Sequence, residues 1–424
     1  MPLIYLDYAA TTPVDPQVAD QLGQHLTLAG VFGNPSSTTH AIGRQAAQAV
    51  ATARAEVAAL LNADPGDLIW TSGATEANNL ALFGVMRPHA RKGRHLLTAK
   101  TEHKAILDVC RRLERDGCAV TYLDPDPDGR IPLQRIAEAL RPDTVLASLM
   151  HVNNETGVIQ DIAAIGALTR ERGVLLHVDA AQSAGKLPID LQTWPVDLLS
   201  LSAHKLYGPK GVGALYVRQR PVRVRLEPLL YGGGQERGLR AGTLPTHQIA
   251  AMGVAFRIAG EQMALETARI AELRDRLWRA LADLGEVMRN GDAEHCVAGI
   301  LNLSFAGITA EALLADLPNI AVSTGSACSS AGNEPSHVLR AIGCDARRMR
   351  GAVRFSLGRF TTVEDIDQAA QAIRASVQRL RALSPLWPSP HELIEIEDRQ
   401  QNRQHDDQHH PAHQQNQHRL ENTQ

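Results

Sequence analysis

A lysine that leaves an apolar run between glycine and proline breaks has the makings of an amine nucleophile. Residues 198–217 read LLSLSAHKLYGPKGVGALYV. Two apolar runs, 198–201 and 213–217, predict buried strands, and the turn between them presents Ser202, His204 and Lys205. Desolvation lowers an ammonium pKa and readies the amine to attack a carbonyl, which is what a Schiff-base lysine needs. An ordinary loop lysine fits the same letters. Upstream, residues 175–179 read LLHVD, a second apolar run that ends on an acid and is followed by Gln182.

A lysine and an acid at two strand ends suit pyridoxal phosphate, whose pyridine nitrogen needs an acidic partner to stay protonated. Asp179 alone could cap a helix, the commoner use of such a residue; with Lys205 in the same kind of position, the cofactor reading is the better one. Residues 71–77, TSGATEA, follow a strand and open a helix. Gly73 admits close backbone approach, and the helix start around Ala74 offers N–H groups for the cofactor phosphate, with Thr75 adding a hydroxyl. The same letters make a plain N-cap. Ser202 and His204 could complete that cradle.

His103, in TEH directly after the apolar run at 95–99, could stack on a cofactor ring and move protons, or simply sit in a capping region. Asn154, in HVNNE, and Gln182 could each contact a ring hydroxyl. Cys328 lies in STGSACSSAGN, small, polar and glycine-containing, unlike the apolar setting of a structural cysteine. An exposed thiol there suits a nucleophile that travels. Arg354, in VRFSLG, stands in an apolar strand, where a bidentate grip on an amino-acid carboxylate or a buried ion pair would account for it.

The elements that must position these groups follow from periodicity. Apolar runs at 68–71, 95–99, 119–123, 144–150, 174–178, 198–201 and 213–217 alternate with helical patterns at 41–62, 76–86, 104–116 and 162–172. This predicts an α/β fold, a mostly parallel seven-stranded sheet with helices on both faces, and ligands beyond the carboxyl ends of its strands. A long helix over 246–284 leads out to a smaller α+β domain, with strands at 300–305, 321–323 and 352–357 and helices at 310–317 and 363–383. The division expected is 15–259 for the large domain, 1–14 with 260–387 for the small one, and a disordered Gln/His-rich tail at 388–424.

With 424 residues and a net charge of −3, the chain can bury large cores and shows no basic face for nucleic acid. No apolar run approaches the roughly 20 residues of a membrane span, and the first residues do not read as a signal peptide. Five scattered cysteines without metal spacing point to a reducing cytoplasm and no resident metal.

Taken together, SAHKLYGPKG, HVDAAQSAGKLPIDL, TSGATEANNLA, TEHKA, MHVNNETG, GGGQERGLRAGT, STGSACSS and RFSLGRFT resemble the cysteine desulfurases of the IscS/NifS type, from residue 5 to about residue 387. The resemblance implies a fold-type I pyridoxal phosphate transferase that works as a homodimer and takes sulfur from L-cysteine, releasing L-alanine. It makes Lys205 the Schiff-base lysine, Asp179 the pyridine-nitrogen partner and His103 the stacking acid–base group. Ala74, Thr75, Ser202 and His204 would bind phosphate, joined by Thr243 of the other subunit. Asn154 and Gln182 would contact the ring oxygen, and Arg354 would grip the substrate carboxylate, beside Asn154. Cys328 would carry the persulfide, hand it to an iron–sulfur scaffold or to tRNA thiolation, and transiently ligate a cluster with the scaffold. Two departures stand out: Ala203 replaces a usual glycine, and the tail replaces the segment that docks the scaffold protein. The rival readings are a class V aminotransferase, a selenocysteine lyase, and a non-catalytic activating scaffold.

Overall fold

The computed structural model describes residues 3–89, 92–221, 223–324, 335–385 and 387. Its strands are β1 Ile4–Tyr5, β2 Leu68–Thr71, β3 His95–Ala99, β4 Ala119–Leu123, β5 Thr144–Met150, β6 Leu175–Asp179, β7 Leu198–Ser202, β8 Gly213–Val217, β9 Val287–Arg289, β10 Ile300–Phe305, β11 Ile320–Ala321 and β12 Ala352–Ser356. Strands β2 to β8 form one seven-stranded sheet in the order β2-β8-β7-β6-β5-β3-β4. Only β8 runs antiparallel to its neighbours. Most of these strands are buried along their whole length, as continuous apolar runs covered on both faces must be.

The helices are α1 Pro16–Gly23, α2 Ala41–Leu60, α3 Ala74–Met86, α4 Lys104–Arg115, α5 Leu133–Ala139, α6 Ile162–Glu171, α7 Thr246–Leu281, α8 Ala310–Asp316, α9 His337–Ala341, α10 Ala346–Arg350 and α11 Val363–Leu383. Strand alternation sends Trp70, Leu97 and Leu199 to the face covered by α2, α6 and α7, and Ile69, Leu96 and Leu198 to the face covered by α3 and α4. A second core forms around the antiparallel sheet β12-β10-β9, where Leu303, Phe305 and Phe355 meet Leu313, Ile366 and Ile373. Ile4 and Leu6 of the N-terminal segment pack there too. Helix α7 serves both cores: Met252 and Phe256 lie in the first, Leu273 and Leu277 in the second.

Most expected elements occur within two residues of their expected bounds. The strand expected at 321–323 is shorter. Its partner β1 spans two residues, so β11 pairs at Ile320 and Ala321, and Ser323 makes only an isolated bridge to Arg354. The expected tail beyond 387 lies outside the described residues. Among the described residues no helix is long and apolar enough to cross a membrane.

Candidate active site

Parallel strands end together, so the residues that follow β2, β3, β5, β6 and β7 are delivered to one edge of the sheet. A cavity of about 450 Å³ opens there. It is lined by Ala74, Thr75, His103, Asn154, Asp179, Gln182, Ser202, His204, Lys205 and Arg354, ten of the residues singled out above. Thr243 does not line it; it is exposed on the loop before α7. Cys328 lies outside the described residues.

Each of these groups is held by its local structure. Asp179 ends β6; its Oδ2 accepts from Asn78 Nδ2 at 2.8 Å and its Oδ1 from the Ala181 N–H at 3.0 Å. His103 caps α4, its Nδ1 accepting from the Ala105 N–H at 3.1 Å, so the neutral ring carries its proton on Nε2. Gly73, whose φ of 151° suits glycine, stands at the N-cap of α3, and among the described residues no side chain caps the helix's first N–H groups. Those groups and the helix dipole face the cavity at Ala74 and Thr75, a ready anion site. Gly213 of β8 closes in beside Gly73: a Cβ on Gly213 would lie 2.7 Å from the Gly73 Cα.

Lys205 ends a short 3-10 turn, and its Nζ donates to the carbonyls of Ala9 at 2.6 Å and Ala10 at 2.7 Å. Its neighbour His204 contacts Thr11 Oγ1 through Nδ1 at 3.1 Å. Burial, then the charges of Lys205, Lys210 and Lys186, push the His204 imidazole down to about 4, so it is neutral at physiological pH. Two residues on, Tyr207 adopts a left-handed φ of 58°, a strain of about 1–3 kcal/mol that its surroundings impose. Thr12 Oγ1 accepts from the Tyr207 N–H at 2.7 Å, and the Arg359 guanidinium stacks 4.2 Å from the ring.

Arg354 is 2% exposed. It pairs with Asp7 at 2.9 Å and donates to the Asn154 carbonyl at 2.7 Å, while its Nε has no partner among the described residues. The buried ion pair weighed for this arginine therefore exists, on one side of a guanidinium that also lines the cavity. Asn154 Oδ1 and Asn78 Oδ1, both on lining residues, are shut off from solvent without a partner among the described residues.

The class-V aminotransferase family model matches residues 4–369. The chain is 59% identical over 384 residues to the cysteine desulfurase IscS of Aeromonas hydrophila, covering 91% of this chain and 95% of that relative. It is 56% identical, with the same coverage, to the one from Shewanella sp. strain ANA-3. Among solved structures, a NifS-like protein matches with a TM-score of 0.83 at 34% identity, over 89% of this chain and 99% of the other.

The chain belongs to the class-V aminotransferase family, among its cysteine desulfurases.

A desulfurase of this family depends on pyridoxal phosphate, and the cavity has the donors and acceptors to hold it. The uncapped start of α3 faces where an anion can sit, and Asp179 and two asparagines, each with a buried amide oxygen that lacks a partner among the described residues, line the same cavity. In this desulfurase the cavity also takes in residues that sequence reasoning missed: Ala9, Ala10, Thr11, Glu76, Asn78 and Lys210. Glu76 is held below the usual carboxylate range because the Arg240 guanidinium and Ser72 outweigh its burial. That ion pair, 2.9 Å long, ties the loop that carries Thr243 to the start of α3. Residues 9–11 join no strand or helix and reach Lys205 only through space, so no local pattern could have marked them. Asn78 sits on the α3 face toward Asp179, a contact across 101 positions of chain.

Proposed function

We propose that Lys205 bonds the cofactor through its amine, that Asp179 pairs with the pyridine nitrogen, and that His103 lies over the ring and moves the substrate proton at Nε2. Ala74, Thr75, Ser202 and His204 hold the phosphate, completed by Thr243 of a second copy in a homodimer. Asn154 and Gln182 serve the ring oxygen, and Arg354 takes the carboxylate of L-cysteine. The observation that carries this reading is the convergence of Lys205, Asp179, His103 and Arg354, from four separate stretches of chain, on one cavity. Bound there, pyridoxal phosphate supplies an electron sink for the substrate's α carbon.

Cys328 is the sulfur acceptor. Its thiolate attacks the sulfur of L-cysteine, an S–S bond forms, and the electron pair of the broken C–S bond stays with the substrate carbon. That carbon takes a proton, so L-cysteine and one thiol become L-alanine and one persulfide. The persulfide serves iron–sulfur cluster assembly, a use that similarity to desulfurases named IscS supports; tRNA thiolation is a second route, and the setting is cytoplasmic. A solved relative, SspA in complex with cysteine, is 38% identical with a TM-score of 0.75 over 84% of this chain and 99% of that one, and supports L-cysteine as the substrate.

The test is the purified chain incubated with L-cysteine under single-turnover conditions. Equal amounts of L-alanine and of persulfide mapped to Cys328 are expected. Transamination of a keto acid without alanine release, or sulfur on another cysteine, would overturn the reading.

A further inference from the structure

Lys186 belongs to neither the cofactor cradle nor the substrate grip. It lines a second recess of about 40 Å³, together with Ala9, Tyr207, Glu266 and Ser356. Its Nζ donates to Gln182 Oε1 at 3.0 Å, and Gln182 Nε2 in turn donates to the Ala9 carbonyl at 2.8 Å. The same carbonyl accepts from Lys205 at 2.6 Å. Lys205 and Gln182 therefore meet at one backbone oxygen, and Lys186 holds the other end of the Gln182 amide, with Gln182 lining the cavity and Lys186 outside it.

We infer that Lys186 is a positioning residue, which fixes the amide of Gln182 so that Nε2 faces Ala9 and Oε1 faces away. The two ends of a glutamine amide are nearly the same shape, so its neighbours decide which end goes where. Ala9 O accepts from Lys205 as well, so it is a shared guide for Gln182. The donor on Lys186 supplies the second constraint.

The backbone is built to bring Lys186 there. Gly185 has a φ of 69°, and a Cβ on it would lie 2.4 Å from Leu206 Cδ1. The turn after Asp179 thus presses directly on the residue that follows Lys205. The Lys186 N–H donates to Ser183 O at 3.0 Å, and Thr267 Oγ1 of α7 donates to the Lys186 carbonyl at 3.3 Å. Burial, then the charges of Lys205 and Arg354, push the Lys186 amine down to about 7. Glu266, the carboxylate in the same recess, is paired with Arg359 at 2.5 Å. An amine keeps N–H donors in both protonation states, so the contact to Gln182 persists across neutral pH.

The inference rests on the proposed contact between Gln182 and the cofactor's ring oxygen. The experiment is a double-mutant cycle on the chain stripped of cofactor and retitrated with pyridoxal phosphate, read by Kd and by the absorption spectrum of the bound form against pH. Lys186→Met is expected to weaken binding about tenfold and to shift the titration of the long-wavelength band. Lys186→Arg is expected to restore both. In a Gln182→Leu background, Lys186→Met is expected to cost nothing further. Additive losses, or Lys186→Met matching the parent in Kd and spectrum, would overturn the inference. Should Lys186→Met fail to fold, Lys186→Gln carries the same cycle, being polar yet too short to reach Gln182. A parent chain that binds no pyridoxal phosphate would instead overturn the cofactor assignments beneath it.

Discussion

Lys205 Nζ lies 2.6 Å from the carbonyl oxygen of Ala9, 196 positions away in the chain. The N-terminal segment wraps the lysine turn: Thr12 donates its N–H and its hydroxyl to the His204 carbonyl, and its Oγ1 receives the Tyr207 N–H. Thr12→Val keeps the shape and removes both hydroxyl contacts, next to a residue in left-handed conformation. A loss of about 1–3 kcal/mol in stability is expected, together with weaker cofactor retention. Urea unfolding and cofactor titration of the variant check both.

Lys205→Ala is expected to fold and to keep its anion site at the start of α3, because neither depends on the amine. Borohydride reduction followed by mass spectrometry should find the cofactor covalently attached to Lys205 in the parent chain and to no residue in the variant. An adduct that persists on Lys210 or Lys186 would transfer the role to that amine.

Arg354→Met leaves the Asp7 carboxylate and the Asn154 carbonyl without their donor at a position 2% exposed. Breaking a buried pair by removing one partner costs about 3 kcal/mol. The KM for L-cysteine should rise at least about tenfold, the loss of a charge-assisted fork. Arg354→Lys should recover little of it, since an ammonium lacks the planar fork that reaches Asp7, Asn154 and a substrate from one group. Steady-state kinetics with an unchanged KM in both variants would remove Arg354 from the substrate site.

Burial holds several imidazoles neutral: His151 is pushed down to about 4 and His177 to about 3, the latter hydrogen-bonded between Ser148 and Ser200 across three central strands. Unfolded histidines take up protons near pH 6.5, whereas these do so only far lower, so the unfolded state binds more protons in between. Stability should therefore fall as pH drops from 6.5 toward 4, by about 1.4 kcal/mol per pH unit for each such residue, and be insensitive to them above 6.5. Denaturant unfolding at pH 7, 6 and 5 measures the slope. His177→Gln should flatten it, and equal stability at pH 7 and 5 would contradict the burial argument.

Cys110, Cys118, Cys296 and Cys344 have thiols raised by burial above the ordinary value, so none of them ionises readily near neutrality. Brief treatment with iodoacetamide should alkylate Cys328 first. Cys328→Ser should bind cofactor as the parent does, yet form no persulfide with L-cysteine. Replacing any of the other four should leave desulfuration largely intact. Peptide mapping that finds the first label or the first sulfur elsewhere would reassign the acceptor.

The chain by itself determined the alternation of buried runs and helices, because a strand covered on both faces must be apolar throughout and a helix must repeat near 3.6 residues. It also determined which residues end those strands, and in parallel strands that is enough to place Asp179, Lys205, His103 and Asn154 on one edge. What local pattern could not hold was contact made through space. Ala9 and Ala10 act through backbone carbonyls, which every residue has, so no side-chain type announces them. Asn78 and Lys186 matter for what they touch, Asp179 and Gln182, and those partners are chosen by how α3 and the turn at Gly185 pack. Arg354 shows both sides: its strand was legible from apolar neighbours, but only the folded chain brought Asp7 to one face of its guanidinium and left the cavity on another.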